Sequence, residues 1–459
     1  MMLSKKNSIF WSFAILVLLF GLFLPTFLSL PQVQRPLFDW LSRSQNLELK
    51  AEKAGFSWLG KQTFTKLSYA SEEVVFQAAE LEIKTPFWKL LTFNLNNLLQ
   101  PKNHFQIAVK EGFLQMEKFK GAVLKQINGT CLWRQKKLTL DFQGATALGG
   151  SFLINLTQFK NEQKGFLDLK DFPSAFIEKA FGLEGLFSAF AGETFSLLSD
   201  FLINNRQSPL MIALHSRQAK AEAELFFQKD GLSLKKAARL GFFFDPGYLS
   251  SKAKKNWPFL SEIRSVTPAE ITISPEQFFL SWPFELKQLK IKSAQFNLGQ
   301  MKIKNRAGFE IFLGLLKNQL FFNLDQLDVW FAPAFFSFSG GRLNLSRLDF
   351  LLEKAFFFCA MGKIDFKVQM VDGWLGITAA ALNRAFGLKN LPSDYILPLK
   401  VSGSWNKIHL ESKQALQKIT YLIARQSQKK NFLGPFLELL PVPEEERIFP
   451  PSLQPPPWR

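Results

Sequence analysis

The chain has 459 residues, 47% of them hydrophobic, and carries 56 Lys and Arg against 38 Asp and Glu, a formal charge of +18. That apolar content excludes disorder for most of the length and permits two or three ordinary domains or one elongated one. The charge calls for an acidic partner.

The first element is the uncharged run Ile9 to Leu30. As a helix rising about 1.5 Å per residue it covers the roughly 30 Å hydrocarbon core of a bilayer. The flank from Thr26 to Pro31 lacks the small-residue pattern of a signal cleavage site, so the run reads as a retained transmembrane anchor behind a short cytoplasmic tail, 1–8. Lys5 and Lys6 before it are balanced by Arg35, Arg43 and Lys50 after it, so flanking charge does not set the orientation. The large domain that follows does, and it is expected outside the cytoplasm. No later run of 18 uncharged apolar residues occurs, so the chain is expected to cross once. The first strand is expected near Leu47, after a connection that spans at most roughly 55 Å when extended.

From Leu47 the dominant signal is period two. It is read in Glu80 to Lys84, in Leu138 to Phe142, in Leu289 to Lys292, in Ile364-Phe366-Val368-Met370, and in Leu397, Leu399 and Val401. Strands with one apolar and one polar edge belong to antiparallel sheets covered on a single face. Three stretches read as helical: Ser174 to Leu202, broken by glycines into two pieces, Gly308 to Lys317, and Val371 to Phe386. An amphipathic helix over 412–430 places Ala415, Leu416, Ile419, Leu422 and Ile423 on one stripe and is expected to dock on the sheet. The tail 431–459 is rich in proline and reads as an irregular terminus.

Motifs for catalysis are not found. His104, His215 and His409 lack ligand spacing, and there is no GxSxG elbow, phosphate-binding loop, HExxH or CxxC. The chain therefore reads as a non-enzyme without cofactor or metal. Cys131 and Cys359 suit either one disulfide or, as the plainer reading, two small buried hydrophobes. Basic clusters at Lys235-Lys236, Lys252 to Lys255 and Lys429-Lys430 have aromatic neighbours such as Trp257 and Phe242 to Phe244. Single-stranded nucleic acid would accept that combination, but an exported chain meets lipid instead. The chain holds 52 Phe and only four Tyr. Phe gives a large apolar area without a hydroxyl to pair, which suits a thick core or a cavity filled with hydrocarbon.

The stretch from Leu47 to Leu91, with a turn at Trp58-Leu59-Gly60 followed by two strands and a short apolar helix at Phe87 to Leu91, resembles the opening repeat of AsmA-like proteins, the group that includes TamB. The strand-Gly-strand unit Leu397 to Glu411 resembles the group's closing unit, departing from it at Lys407-Ile408, where the familiar form has a proline. The resemblance takes in about three-quarters of the chain. It implies a mainly β fold over 47–411: an elongated, curved antiparallel sheet with a few short helices, preceded by one transmembrane helix. It also implies anchoring in the inner membrane of a double-membraned bacterium, with the bulk in the periplasm and an apolar groove that carries phospholipid towards the outer membrane. About 20 strands at roughly 4.8 Å each would extend on the order of 100 Å. Leu81, Ile83, Leu289, Ile291, Ile364, Phe366 and Val368 are the groove candidates, and core positions remain their alternative. The expected partners are phospholipid, the inner membrane and an outer-membrane protein, with no nucleic acid. The rival reading is a scaffold for assembling outer-membrane proteins, using sheet edges and the Pro-rich tail.

Overall fold

The computed structural model describes residues 23–45, 47–87, 105–116, 123–134, 137–160, 162–204, 208–281, 288–304, 325–404, 407–427 and 448–452. Among them the protein is mainly β, every described strand pairing is antiparallel, and helices are few. No helix among the described residues is long and apolar enough to cross a membrane. Residues 1–22, with the expected tail and most of the expected anchor, lie outside the described residues. So do 88–91, the expected helix Gly308 to Lys317, 428–447 and 453–459. Contacts divide the chain into two compact units, Met1–Leu183 with Thr194–Ser208, and Glu184–Glu193 with Pro209–Arg459.

Unit 1 begins with helical backbone over 23–28, a bend at Ser29 and Leu30, and helix α1 (Pro31–Gln45). The expected open connection is thus a helix. Val33, Leu37 and Phe38 recur at helical spacing and turn inward, with Phe38 6% exposed. The buried Gln34 side chain takes the place of a strand: its Nε2 donates to the carbonyl of Ala54, and its Oε1 accepts from the Ala54 N–H at 3.1 Å. Ser29 Oγ accepts from Phe56 N–H at 2.8 Å. Two side chains therefore satisfy a sheet edge that would otherwise be bare.

The strands of unit 1 are β1 (Glu48–Lys50), β2 (Lys53–Gly55), β3 (Gln62–Ala70), β4 (Val74–Ile83), β5 (Phe105–Met116), β6 (Val123–Arg134), β7 (Lys137–Thr146), β8 (Gly149–Phe159), β9 (Glu162–Pro173) and β10 (Thr194–Ile203). β3 to β10 form a meander in which each strand pairs with the next, while β1 and β2 share the outer edge of β3. Between β2 and β3 the turn at Trp58 to Gly60 is tied by Gln62, fully buried, whose amide donates to the carbonyls of Ser57, Gly60 and Thr85 at 2.9, 3.0 and 3.0 Å. Helix α2 (Ser174–Phe181) leaves β9 and ends at Gly182 in the left-handed region.

Unit 2 opens with α3 (Leu186–Ala191). Its first strands are β11 (Ser208–Ser216), β12 (Ala219–Gln228), β13 (Gly231–Leu234) and β14 (Ala238–Phe242), followed by the short helix α4 (Ser251–Asn256). Then come β15 (Ile263–Ser265), β16 (Ala269–Ile273), β17 (Phe278–Ser281), β18 (Leu289–Asn297), β19 (Gln300–Lys304), β20 (Gln326–Phe331), β21 (Ala334–Ser339), β22 (Arg342–Leu352), β23 (Phe356–Asp365) and β24 (Met370–Thr378). Helix α5 (Ala379–Phe386), strands β25 (Ile396–Ser404) and β26 (Lys407–Leu410), and helix α6 (Ser412–Ser427) close it. Long strands face split ones: β12 pairs with both β13 and β14, and β18 with both β16 and β17. From β21 to β26 the meander resumes.

Three sequence expectations are corrected. Residues 194–202, read as the second half of a helical stretch, are strand β10, because Phe195, Leu197 and Phe201 satisfy period two once bonded to β9. Residues 371–378, also read as helical, are strand β24, and the helix begins only after Thr378, whose Oγ accepts from Ala381 N–H. The alternation read as one strand from Ile364 to Met370 is interrupted: β23 stops at Asp365, whose Oδ1 accepts the N–H groups of Lys367 and Val368 at 2.9 and 3.3 Å, and 366–369 turn.

Candidate functional site

In unit 1 each strand alternates, and register stacks like on like. One ladder runs Ile83, Ile107, Cys131, Leu140, Leu156, Gly165, Phe201; the next runs Phe64, Leu81, Val109, Gly129, Phe142, Ile154, Leu167, Ser199. The residues between them face the other way: Thr63, Glu82, Ala108, Thr130, Asp141, Asn155, Phe166 and Asp200, polar but for Ala108 and Phe166. Leu81 and Ile83 therefore share one apolar face, where both are half-buried. Ile154 at its centre is 38% exposed. The described helices pack elsewhere, α1 on β1 and β2, and α2 on β9.

Two features shape this face. Three phenylalanines stand directly opposite glycines, Phe142 on Gly129, Phe152 on Gly144 and Phe201 on Gly165. A Cβ on Gly129 would come within 2.6 Å of the Phe142 ring, and one on Gly165 within 2.1 Å of that of Phe201. The rings thus lie down over bare backbone and pave the surface. A row of left-handed, non-glycine residues also crosses the sheet: Lys66 (φ 49°), Glu111 (φ 48°), Gln126 (φ 53°) and Asp171 (φ 47°). Glu111, Gln126 and Asp171 mark breaks in register on β5, β6 and β9, and such bulges bend the strands that carry them. Along this line the apolar side chains are fully buried, among them Leu67, Ala78, Val109, Ile127, Phe152 and Leu169. The strain of about 1 kcal/mol per left-handed residue is offset by side chains: Asn128 Oδ1 accepts from Glu111 N–H at 3.0 Å while its Nδ2 donates to Gln126 O at 2.9 Å.

In unit 2 the remaining candidates separate. Leu289, Ile291 and Phe366 belong to one cluster with Phe338, Phe336 and Leu343, and Ile364 lies opposite Leu343. Ile291 is only 7% exposed and is a core residue. Val368, in the turn after β23, is 64% exposed and touches none of this cluster's buried centre. Further along the same face of β23 the surface is closed: Phe356, Phe358, Ile377, Leu397 and Leu399 are buried under α5 and α6, whose Ala415, Ile419 and Leu422 turn inward. Leu416, expected on that stripe, is instead 46% exposed.

The described part of the Pro-rich terminus, 448–452, has no regular structure, as expected, but is docked. Arg347 and Asp349, both nearly buried, pair at 2.9 Å and hold residues 448–452: Arg347 Nη1 donates to Pro450 O at 2.5 Å, and Ser452 Oγ donates to Asp349 Oδ2 at 2.7 Å. Phe449 sits against Gly376 beside Cys359. Both cysteines are free thiols; burial pushes that of Cys359 up to about 12 and raises that of Cys131.

On the polar side, Lys61 bonds to Glu82 and Lys110 to Glu80 at 2.7 Å. The hydrogen bond from Lys61 holds the Glu82 carboxyl below its ordinary range. Lys235 and Lys236 converge on Glu224 and lower its pKa, and Lys252 pairs with Glu184 at 2.9 Å, so part of the expected basic character is balanced locally. A cavity of about 850 Å³ beside the bulge line has a mixed lining that includes two acids and two bases, Glu111, Lys125, Asp168 and Lys170, together with Phe113, Phe152 and Leu153. His104 lies outside the described residues, and among those described no group of three His, Cys, Asp or Glu gathers as metal ligands would.

Period two marks Leu81, Ile83 and Phe142, but Phe64, Ile154 and Phe201 escape a reading by strand alone. For Phe201 the signal is a glycine directly across the sheet, Gly165, which appears only once the register is known. No family model, curated protein or solved structure matches this chain.

Proposed function

We propose that this is a non-enzymatic, AsmA-like protein that holds phospholipid acyl chains along its apolar β face and passes them through a bacterial envelope, anchored in the inner membrane by residues 9–30 with its bulk in the periplasm. One observation carries the reading: unit 1 presents a paved, half-exposed apolar face across seven strands, backed by a polar face, with its described helices docked at the ends. Monomeric proteins rarely leave such a continuous apolar surface to water. An acyl chain lying there avoids about 0.8 kcal/mol per methylene of exposure. The excess of Phe over Tyr suits an occupant that offers no hydrogen bonds. The resemblance of 47–91 and 397–411 to AsmA-like sequences supports the same reading.

The test is native mass spectrometry of the full chain, extracted gently from membranes and followed by lipid identification. Bound phospholipid at one or more per chain is expected. A lipid-free chain carrying a bound protein would favour the scaffold reading instead, and a chain free of both would overturn the proposal.

A further inference from the structure

We propose that α1 is an interfacial helix, with Arg35, Trp40 and Arg43 lying in the phospholipid head-group layer of the membrane that holds residues 9–30. This rests on the reading of 9–30 as a membrane span. The inward face of α1 is spent on the sheet, through Gln34 and Phe38, 4% and 6% exposed. Its outward face leaves Trp40 64% exposed, with Arg35, Asp39 and Arg43 also exposed. The residues just before it are bare as well: Phe23, Phe27 and Leu30 are 62%, 46% and 46% exposed. Large apolar groups thus lie outermost from 23 to 40, across the end of the apolar run and the helix that follows it.

The elbow between the two helices is bonded on three sides. Ser29 Oγ donates to Pro25 O at 2.7 Å, Gln34 Nε2 donates to Ser29 O at 2.8 Å, and Phe56 N–H donates to Ser29 Oγ at 2.8 Å. The end of the span, α1 and the segment after β2 are therefore one joined piece. Trp40 lies ten residues from Leu30, at most about 15 Å along a helix, within the depth of a head-group region. Trp is the side chain that settles at that depth, its ring among the upper methylenes and its N–H towards water, and guanidinium groups pair with lipid phosphates. A phospholipid surface is the occupant that matches all three groups, and Asp39, four residues from each arginine, shares their side of the helix. The consequence is positional: the clamp of Gln34 on Ala54 presents the edge of unit 1's sheet directly at the bilayer surface.

The test uses the full chain in vesicles whose phospholipids carry bromine near the top of the acyl chains. The difference in emission between the native chain and Trp40→Phe isolates Trp40. At least twofold quenching of that difference by bromolipid, with little quenching by aqueous iodide, is expected. Quenching by iodide and not by bromolipid would overturn the proposal. An alkaline carbonate wash of the same vesicles separates the two failures. A chain released by the wash refutes the membrane span itself, whereas a retained chain with Trp40 in water refutes the interfacial helix alone.

Discussion

A charge placed at the centre of the open face separates a lipid surface from a core. Ile154 is 38% exposed, so about three-fifths of its side chain is already out of water. Full burial of such a side chain is worth about 1.5–3 kcal/mol, so Ile154→Asp should destabilise unit 1 by roughly 1–2 kcal/mol, a fall in melting temperature on the order of 2–8 °C. Its effect on lipid should be larger. Displacing three or four acyl methylenes from apolar contact costs about 3 kcal/mol, or roughly a hundredfold in affinity. The companion change, Phe358→Ala, removes a ring that is fully buried beneath α5 and should cost about 3–5 kcal/mol of stability. Lipid bound per chain, measured by mass spectrometry alongside thermal melting, should fall in Ile154→Asp and persist in folded Phe358→Ala. Equal lipid loss in both, or undiminished lipid in Ile154→Asp, would refute the assignment of the open face.

Three further outcomes follow from the site's chemistry. With the Cys359 thiol pushed up to about 12, only about one in 10⁴ is ionised at pH 8, so maleimide should modify Cys131 first and reach Cys359 only after denaturation; equal rates would contradict its burial. Arg347→Ala leaves the Asp349 carboxylate buried without its cation, at a cost of about 3–5 kcal/mol, and should release residues 448–452 to protease; unchanged cleavage would mean the tail is held some other way. Because Lys61 lowers the Glu82 pKa, the stabilisation from Glu82 is complete above the ordinary carboxylate value and lost as pH falls through its lower folded value. Glu82→Gln should therefore flatten the decline of melting temperature between about pH 5 and pH 3, and an unaltered slope would argue against the Lys61 contact.

The strands and their inward residues were legible because period two survives wherever a sheet has one greasy side. Leu138 to Phe142, Leu289 to Lys292 and Leu397 to Val401 all lie in strands where the alternation places them. The failures have local causes. The turn at 366–369 contains neither Gly nor Pro; the Asp365 carboxylate makes it, and Phe366 and Val368 keep the alternation running through it. Helical spacing and period two coincide over short apolar runs, which is why 194–202 and 371–378 were ambiguous. The bulges at Glu111 and Gln126 use residues with no preference for the left-handed region, and Asn128, which bonds to both, reaches Glu111 from the neighbouring strand. Helix α1 carries its own signal in Val33, Leu37 and Phe38, overshadowed by the hydrophobic run before it.

The two units treat the same kind of surface in opposite ways, and that contrast bears on function. Under α5 and α6, unit 2 closes its apolar face until Phe358, Ile377 and Leu399 are fully buried, so the chain has the means to make a core where one is needed. Among the described residues of unit 1 no such lid appears over Ile107, Leu140 and Ile154, although the face is as apolar. Leaving it uncovered sacrifices about 25 cal/mol for each Å² exposed, a cost that persists unless something apolar occupies the site. The paving by Phe142 and Phe201 over glycines gives that occupant a smooth, largely apolar surface. A protein partner would gain more from a face with polar anchors, as interfaces enriched in Tyr and Arg do. A flexible hydrocarbon chain needs none, and it can slide along a surface whose contacts are all of one kind. On the proposed function, transfer would then require only that successive positions bind about equally, so that no site along the face becomes a trap.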